Sequence, residues 1–151
     1  MNTQATPSGR RDEPQRPEEL AEAECFRLLR GVEVGRLAVR LTDGGIDIFP
    51  VNYDVDGDTV VFCTAAGSKL SSIEAEPVVA FEADHFDWYE RTAWSVVVRG
   101  TASVVADDGE LLELVDGNLA PWQDGPKPYF VRILPASTTG RRFTVHHRVK
   151  P

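Results

Sequence analysis

The stretch that decides the fold is Pro50-Val-Asn-Tyr-Asp-Val-Asp-Gly-Asp-Thr-Val-Val-Phe-Cys-Thr-Ala-Ala-Gly-Ser-Lys-Leu70. Two runs typical of β-strands flank Asp56-Gly57, a pair that favours a tight hairpin turn. A loop containing Gly67 follows, and then a short helix over about residues 68–74 that opens on Ser68 and Lys69. The stretch therefore predicts a β-hairpin that leads directly into a helix.

The start of that helix suits a phosphate group. A helix N-terminus offers unpaired backbone N–H groups and a partial positive charge, to which Lys69 adds a full one. The spacing is not that of a nucleotide-hydrolysing P-loop, in which Gly-Lys follows four residues after an earlier glycine. The segment indicates a phosphorylated cofactor rather than ATP. The alternative is that Ser68 only caps the helix and Lys69 is a solvated side chain.

Composition narrows the class of protein. The formal net charge is −8, from 16 basic and 24 acidic residues, and argues against nucleic acid as a partner. No apolar run approaches the ~20 residues that span a bilayer, and residues 1–17 lack the apolar core of a secretory signal. We therefore expect a cytoplasmic protein without a membrane partner. Cys25 and Cys63 have no metal-ligand spacing and are predicted to be buried free thiols.

Hydrophobic periodicity predicts the remaining elements. A helix is expected after Pro17, with Glu18 and Glu19 at its positive start and an apolar face on Ala21, Cys25, Leu28, Leu29 and Val32. Period-two patterns predict strands over residues 34–41, 46–53, 59–64, 77–84, 92–106 and 129–134, with 138–145 as an extension or a further strand. A third helix is capped by Asp107 or Asp108 and ends at Gly117, before a loop at residues 121–128.

These elements predict an α+β, mainly β, fold. Six or seven strands joined mostly by hairpins imply an antiparallel sheet that closes into a small barrel with about three short helices. Pro50 cannot donate to a ladder, so its strand requires an edge, a bulge or an irregular stretch there. One domain over residues 17–145 is expected, with a disordered arm at 1–16 and a tail at 146–151.

Six segments, in this order, resemble the pyridoxamine 5'-phosphate oxidase-like flavoproteins, which share the FMN-binding split barrel. The resemblance covers about residues 18–143, and its markers are Val34-Gly-Arg-Leu37, Pro50-Val-Asn-Tyr53, Phe62-Cys-Thr-Ala-Ala-Gly-Ser-Lys-Leu70, Val79-Ala-Phe-Glu82, Trp94-Ser-Val-Val-Val-Arg-Gly100 and Val131-Arg-Ile-Leu-Pro135 with Thr139-Gly-Arg141. It implies an FMN-dependent oxidoreductase that transfers hydride at flavin N5 and acts on a small-molecule substrate. It also implies a homodimer with the cofactor sites at the subunit interface.

The resemblance also implies particular contacts with FMN. Ser68 and Lys69, with Leu70 after them, would hold the phosphate. Backbone groups of Pro50, Val51, Asn52 and Tyr53 would run beside the isoalloxazine ring. The ribityl chain would lie along Phe62, Cys63 and Thr64, while Trp94 and Ser95 would approach from the partner subunit. Arg141 lies in a family motif. No catalytic side chain and no metal ligand is implied, because the flavin carries the redox chemistry.

Departures from the family pattern bear on the substrate. The vitamin B6 oxidases carry an Arg and a Lys on the strand where this chain has Ile48 and Tyr53, and the C-terminal Arg-x-His pair is missing. Oxidation of pyridoxamine phosphate is therefore not expected. The alternatives are a reductase that binds the deazaflavin F420, a flavin-binding or sensor module without turnover, and a scaffold that has lost its cofactor. The single lysine at the phosphate loop favours FMN over F420, whose tail is polyanionic.

The other polar residues do not indicate a specific binding site. Asp84, His85 and Asp87 are expected to serve a surface or lid role rather than to bind a metal, and His146-His147 to be a polar tail rather than a haem ligand. The aromatic stretch 85–91 is predicted to be a loop, which either covers the flavin or packs over a barrel end. Arg36, Arg40, Arg141 and Arg142 either converge on an anion or are solvated.

Overall fold

The computed structural model describes residues 16–116 and 129–145. The expected tail, the helix stop at Gly117, the loop at 121–128 and all but the last residue of the expected N-terminal arm lie outside these ranges.

The described residues form seven strands and three helices. In chain order these are β1 (Glu18–Leu20), α1 (Glu22–Leu29), β2 (Val34–Arg40), β3 (Ile46–Asp56), β4 (Thr59–Thr64), α2 (Ser68–Ala75), β5 (Val78–Asp87), β6 (Thr92–Val104), α3 (Asp108–Asp116) and β7 (Tyr129–Thr144).

Six of the strands close into an antiparallel barrel. Their order is β7-β4-β3-β2-β5-β6, and β6 pairs again with β7, while β1 adds to the outer edge of β7. The long closing pair aligns residues from Thr92↔Thr144 to Val104↔Val131. Closure pairs the backbone hydrogen-bonding groups that the edge strands of an open sheet would leave unpaired. The predicted mainly β split barrel is confirmed.

The barrel is split beside β3. This strand pairs with β2 from Ile46 to Asn52, but it pairs with β4 only from Tyr53 to Asp56. Among the described residues, the stretch 46–52 therefore has one edge without a strand partner. Pro50 lies in that stretch, where the lack of an N–H group costs no ladder bond. The expectation that Pro50 marks an edge is confirmed.

The core fills the barrel and is closed by helices. Leu37, Phe62 and Phe81 are fully buried inside it. Leu70 and Ile73 of α2 and Cys25, Phe26 and Leu29 of α1 belong to the same cluster. A second, smaller cluster lies under α3 and consists of Val61, Val105, Leu114 and Phe130.

The expected start of the first helix was wrong. Glu18 and Glu19 belong to β1, which pairs with Arg142 and Arg141 of β7, and α1 begins only at Glu22. The acidic side chains that periodicity assigned to a helix N-terminus instead lie beside arginines. Arg142 contacts Glu18 at 3.7 Å and Glu24 at 2.5 Å. Pairing with a distant strand outweighed the local helical pattern.

The aromatic segment is also more regular than expected. His85, Phe86 and Asp87 continue β5 and pair with Trp94, Ala93 and Thr92 of β6, so the predicted loop shrinks to residues 88–91. The carboxylate of Asp87 accepts hydrogen bonds from the backbone N–H groups of Tyr89 and Glu90 at 2.8 and 2.9 Å. These bonds fix the turn and end the strand.

β6 and β7 pair along their length except at one shift in register. β7 runs unbroken through the two segments predicted for it, and its register with β6 shifts between Arg99 and Gly100. A Cβ at Gly100 would collide with the carbonyl group of Leu134, so glycine allows the close approach. In residues 16–116 and 129–145, no helix is long and apolar enough to cross a membrane.

Candidate ligand-binding cleft

β3 separates from β4 along residues 46–52, and Lys69 at the start of α2 lies over Phe49 of this stretch; we call the region between the two elements the cleft. The helix begins after Gly67, and no side chain of the described residues caps it. Its first turn contains no acidic residue. The first backbone N–H groups of a helix have no intrahelical acceptor, so this end of the cleft presents unpaired donors and the positive end of the helix dipole. The alternative role of Ser68 as a side-chain cap is wrong.

Lys69 is the cation of the cleft. Its Nζ lies 5.1 Å from the centroid of the Phe49 ring on β3, so the side chain reaches from α2 across to the split strand. The residue is half-buried, and burial lowers the pKa of its ammonium group. No carboxylate of the described residues forms an ion pair with it. Lys69 is therefore a partly desolvated cation next to free helix donors.

Several of the predicted site residues direct their side chains into the core. These are Val51, Tyr53, Phe62, Leu70 and Trp94, all less than a tenth exposed. The hydroxyl group of Tyr53 donates to the carbonyl oxygen of Leu29 at 2.7 Å, and its ring packs edge-on against Phe81. Burial raises the pKa of that hydroxyl. A ligand in the cleft would meet the backbone of these residues rather than their side chains.

The remaining residues predicted on β3, β4 and α2 are partly or fully exposed. Pro50 and Ser68 are exposed, and Asn52, Cys63 and Thr64 are half-buried. Both cysteines are free, Cys25 in the core and Cys63 at the end of β4, and burial raises the pKa of each thiol. The predicted free thiols are confirmed, although Cys63 is less buried than expected.

Ser95 and Arg141 do not lie in this cleft. They pair with each other on β6 and β7, and Ser95 also pairs with Asp84 of β5. Two strands, β2 and β5, separate β6 from β3.

The arginines singled out from the sequence do not converge. Arg36 pairs with Glu82 at 3.3 Å and with Asp84, whereas Arg142 pairs with Glu18 and Glu24. In the described parts of the chain, no three His, Cys, Asp or Glu side chains are placed to hold a metal ion.

Phe49 was not predicted from the sequence to be a site residue. Its ring packs against the main core cluster and forms the contact with Lys69. The signal was present, because Phe49 alternates with Val51 and Tyr53 on the inward face of one strand, two residues from each neighbour.

The fold and the cleft define a split-barrel protein, and comparison with known sequences gives its family. Residues 21–142 match the family described as pyridoxamine 5'-phosphate oxidase, so the chain belongs to that family. An uncharacterized protein of Mycobacterium tuberculosis, Rv0080, is 36% identical over 152 residues, which cover 95% of this chain and 98% of the relative.

Solved structures agree with this assignment. A Corynebacterium glutamicum protein, provisionally named a pyridoxamine 5'-phosphate oxidase, is 40% identical and superposes with a TM-score of 0.78, covering 91% of this chain and 98% of its own. A protein of Mycobacterium smegmatis described as an FAD binding protein is 39% identical, with a TM-score of 0.73 and coverage of 85% and 100%.

Proposed function

We propose that this protein is an FMN-dependent oxidoreductase that binds FMN in the cleft between β3 and α2. One observation carries the proposal: the uncapped N-terminus of α2 lies beside Lys69, a half-buried cation without an acidic partner among the described residues. Membership of the pyridoxamine 5'-phosphate oxidase family and the similarity to an FAD binding protein support a flavin ligand.

The residues of the cleft fit the phosphate end of FMN. A phosphate accepts hydrogen bonds and carries negative charge, and the start of α2 offers unpaired N–H donors together with the Lys69 ammonium group. A half-buried lysine without a carboxylate is costly unless an anion completes the site. Ser68 and Lys69 are therefore assigned to the phosphate.

The free edge of β3 fits the flat end of the cofactor. Backbone groups between Phe49 and Asn52 lack a β4 partner, so they are available to the polar rim of a flavin ring. When bound, FMN supplies hydride transfer at its N5 atom. The protein binds and orients the cofactor through this backbone edge, and the packed side chains of Val51 and Phe62 exclude water from behind it.

A homodimer would complete the site. Ser95 and Trp94 lie on β6, which β2 and β5 separate from β3 in the sheet. The family resemblance assigns both residues to the site of the partner subunit. The same arrangement would bring Arg141 of each chain toward the interface, since it pairs with Ser95.

The substrate is expected to be less charged than pyridoxamine phosphate. Ile48, where the vitamin B6 oxidases place a basic residue, is 62% exposed at the rim of the cleft. The hydroxyl group of Tyr53 is already bonded to Leu29. A second phosphate would therefore find no cation on β3 and would lose charge-assisted hydrogen bonds.

Ligand titration of the purified protein tests the proposal. The visible absorption of the protein as isolated is recorded first, and apo-protein is then titrated with FMN, riboflavin, FAD and F420. FMN is expected to bind at least about tenfold more tightly than riboflavin, which lacks the phosphate. Binding of no flavin would overturn the proposal. Preference for F420 would replace FMN by the deazaflavin, and a bound flavin that no donor or acceptor reduces or reoxidises would favour the sensor alternative.

A further inference from the structure

The contact between Lys69 and Phe49 joins two elements that are each anchored in the core. Phe49 is half-buried, packs against the main core cluster and pairs across the ladder with Leu37 of β2, which is fully buried. Lys69 precedes Leu70, whose side chain is 6% exposed and belongs to the same cluster. The ring of Phe49 and the backbone of Lys69 are therefore both held in place by packing.

The face of an aromatic ring suits a cation that must stay free for a ligand. The ring carries partial negative charge on its face and attracts an ammonium group within about 6 Å of its centroid. Nζ of Lys69 lies 5.1 Å from the Phe49 centroid, over the ring. A carboxylate in the same place would neutralise the lysine and take up its N–H donors. Phe49 holds the positive charge without using those donors.

Burial makes this aromatic contact more important. Desolvation lowers the pKa of the Lys69 ammonium group and so disfavours its charged form. The ring face offsets part of that cost, because a cation–π contact is stronger where water is excluded. A leucine at position 49 would also be apolar, but it would leave the ammonium group without this attraction.

We propose that Phe49 is a positioning residue of the phosphate site, and that the face of its ring holds the Lys69 ammonium group where the phosphate of FMN meets it. This inference rests on the proposed function for the identity of the ligand. The contact is kept when the ligand binds, so the ring and the phosphate meet the same ammonium group from different sides. Phe49 acts through Lys69 and takes no part in the redox chemistry.

Fluorination of the ring tests this role with little change in shape. Each fluorine withdraws electron density from the ring face and weakens its attraction for a cation. Phenylalanines with one, two or three ring fluorines are placed at position 49 by codon suppression, and the dissociation constants of FMN and riboflavin are measured. FMN affinity is expected to fall stepwise, by about threefold to tenfold over the series. Riboflavin affinity should stay constant, because riboflavin has no phosphate.

The direction of the change decides between the proposed role and its alternatives. An FMN affinity that does not depend on fluorination would overturn the proposal and leave Phe49 as a packing residue. An affinity that rises with fluorination would also overturn it, because the ring would then compete with the phosphate for Lys69. A parallel fall for riboflavin would do the same, since the ring would then act on the flavin and not on the phosphate.

Natural amino acids give a second measure of the same role. Phe49→Leu removes the ring and is expected to weaken FMN binding by about threefold to tenfold, whereas Phe49→Tyr keeps the ring and should retain the wild-type affinity. Phe86→Leu is the matched control, because Phe86 is a half-buried phenylalanine whose ring packs against Trp88. Equal FMN affinities for Phe49→Leu and Phe86→Leu would contradict the proposal.

A double variant shows whether Phe49 acts through Lys69. In Phe49→Leu/Lys69→Met the loss of FMN affinity should equal that of Lys69→Met alone, because the ring has no cation left to hold. Losses that add would mean that Phe49 affects FMN by another route, and would overturn the positioning role.

A measurement without ligand separates this proposal from the proposed function. In protein that contains isotope-labelled lysine, the ring current of Phe49 should shift the Hε signals of Lys69 upfield, and Phe49→Leu should abolish the shift. Lys69→Arg identifies the signal among the three lysines of the sequence. A wild type without the shift would overturn the contact. If the wild type binds no flavin, the proposed function fails, and inorganic phosphate replaces FMN in a titration of the same signal. Weaker phosphate binding by Phe49→Leu would then support the positioning role, and equal binding would overturn it.

Discussion

At the scale of single residues, Lys69 and Tyr53 both lie in the stretch 50–70, but one side chain faces the cleft and the other faces the core. Lys69 reaches across the cleft to Phe49 and has no acidic partner among the described residues, which suits a ligand anion. Tyr53 turns inward and bonds to Leu29, which suits the core. The first residue is expected to affect binding, and the second to affect stability.

Lys69→Ala should weaken FMN binding much more than it weakens folding. A charge-assisted hydrogen bond to phosphate is worth about 1.5–3 kcal/mol, whereas the half-buried lysine contributes little to the core. Calorimetric titration with FMN and denaturant unfolding of the apo-protein measure the two effects. Riboflavin is the control ligand, since its affinity should not change. Equal FMN affinity for variant and wild type would refute the phosphate assignment.

Tyr53→Phe should lower the free energy of unfolding by about 1 kcal/mol or somewhat more, because it leaves the buried carbonyl group of Leu29 without its best donor. Urea unfolding measures the change. Tyr129→Phe removes a hydroxyl from a tyrosine that is 42% exposed and should be nearly neutral. If both variants lose the same stability, the Tyr53–Leu29 bond has no special role.

At the scale of elements, β1 and α1 are held to β7 by one ionic cluster. Glu24 accepts hydrogen bonds from Arg27 at 2.6 and 2.7 Å and from Arg142 at 2.5 Å. These bonds, first with Arg27 and then with Arg142, lower the pKa of Glu24 from its ordinary value of 4.5 to about 2. The start of the chain is thereby tied to the strand that closes the barrel.

This pKa shift predicts a pH dependence of stability. A carboxylate with a lowered folded pKa stabilises the protein fully above its unfolded pKa, and it loses that effect as the pH falls toward the folded value. The difference in unfolding free energy between wild type and Glu24→Gln should thus be constant above about pH 4.5 and should shrink between pH 4.5 and 2. Urea titrations at several pH values measure it. A difference that does not change with pH would exclude the ionic role of Glu24.

A close backbone contact joins β6 to β7. Gly100→Ala should destabilise the protein by about 3 kcal/mol, because the added Cβ meets the main chain of Leu134, which cannot move without breaking the β6–β7 ladder. Thermal or urea unfolding measures the loss. Thr101→Ala, at an exposed position of the same strand, should cost at most about 1 kcal/mol. Comparable losses would mean that the contact relaxes easily.

At the scale of the whole molecule, the barrel closes through β6 and β7 but leaves residues 46–52 of β3 without a β4 partner among the described residues. Among the described residues Lys69 is the lysine of the cleft, and the residue of β3 where the vitamin B6 oxidases are basic is the exposed Ile48. Under the proposed function, this distribution of charge would limit the substrates held above a bound flavin.

The FMN-loaded protein should therefore oxidise pyridoxamine or pyridoxine 5'-phosphate negligibly, since a dianionic substrate loses several charge-assisted bonds, each worth about 1.5–3 kcal/mol. Formation of pyridoxal 5'-phosphate can be followed directly, with an authentic vitamin B6 oxidase as the positive control. A turnover number of ~1–10 per second would restore the activity after which the family is named.

The sequence by itself determined strands β2 to β7, the hairpin at Asp56-Gly57, the helix that opens on Ser68 and Lys69, and the closed antiparallel architecture. These features follow from local periodicity, turn chemistry and the need to pair strand edges. Only the tertiary structure decided that Glu18 and Glu19 form a strand, that β5 continues to Asp87, that the Tyr53 and Trp94 side chains face the core, and that Ser95 pairs with Arg141. Each of these depends on pairing or packing with residues far along the chain, and local pattern carries no information about that register.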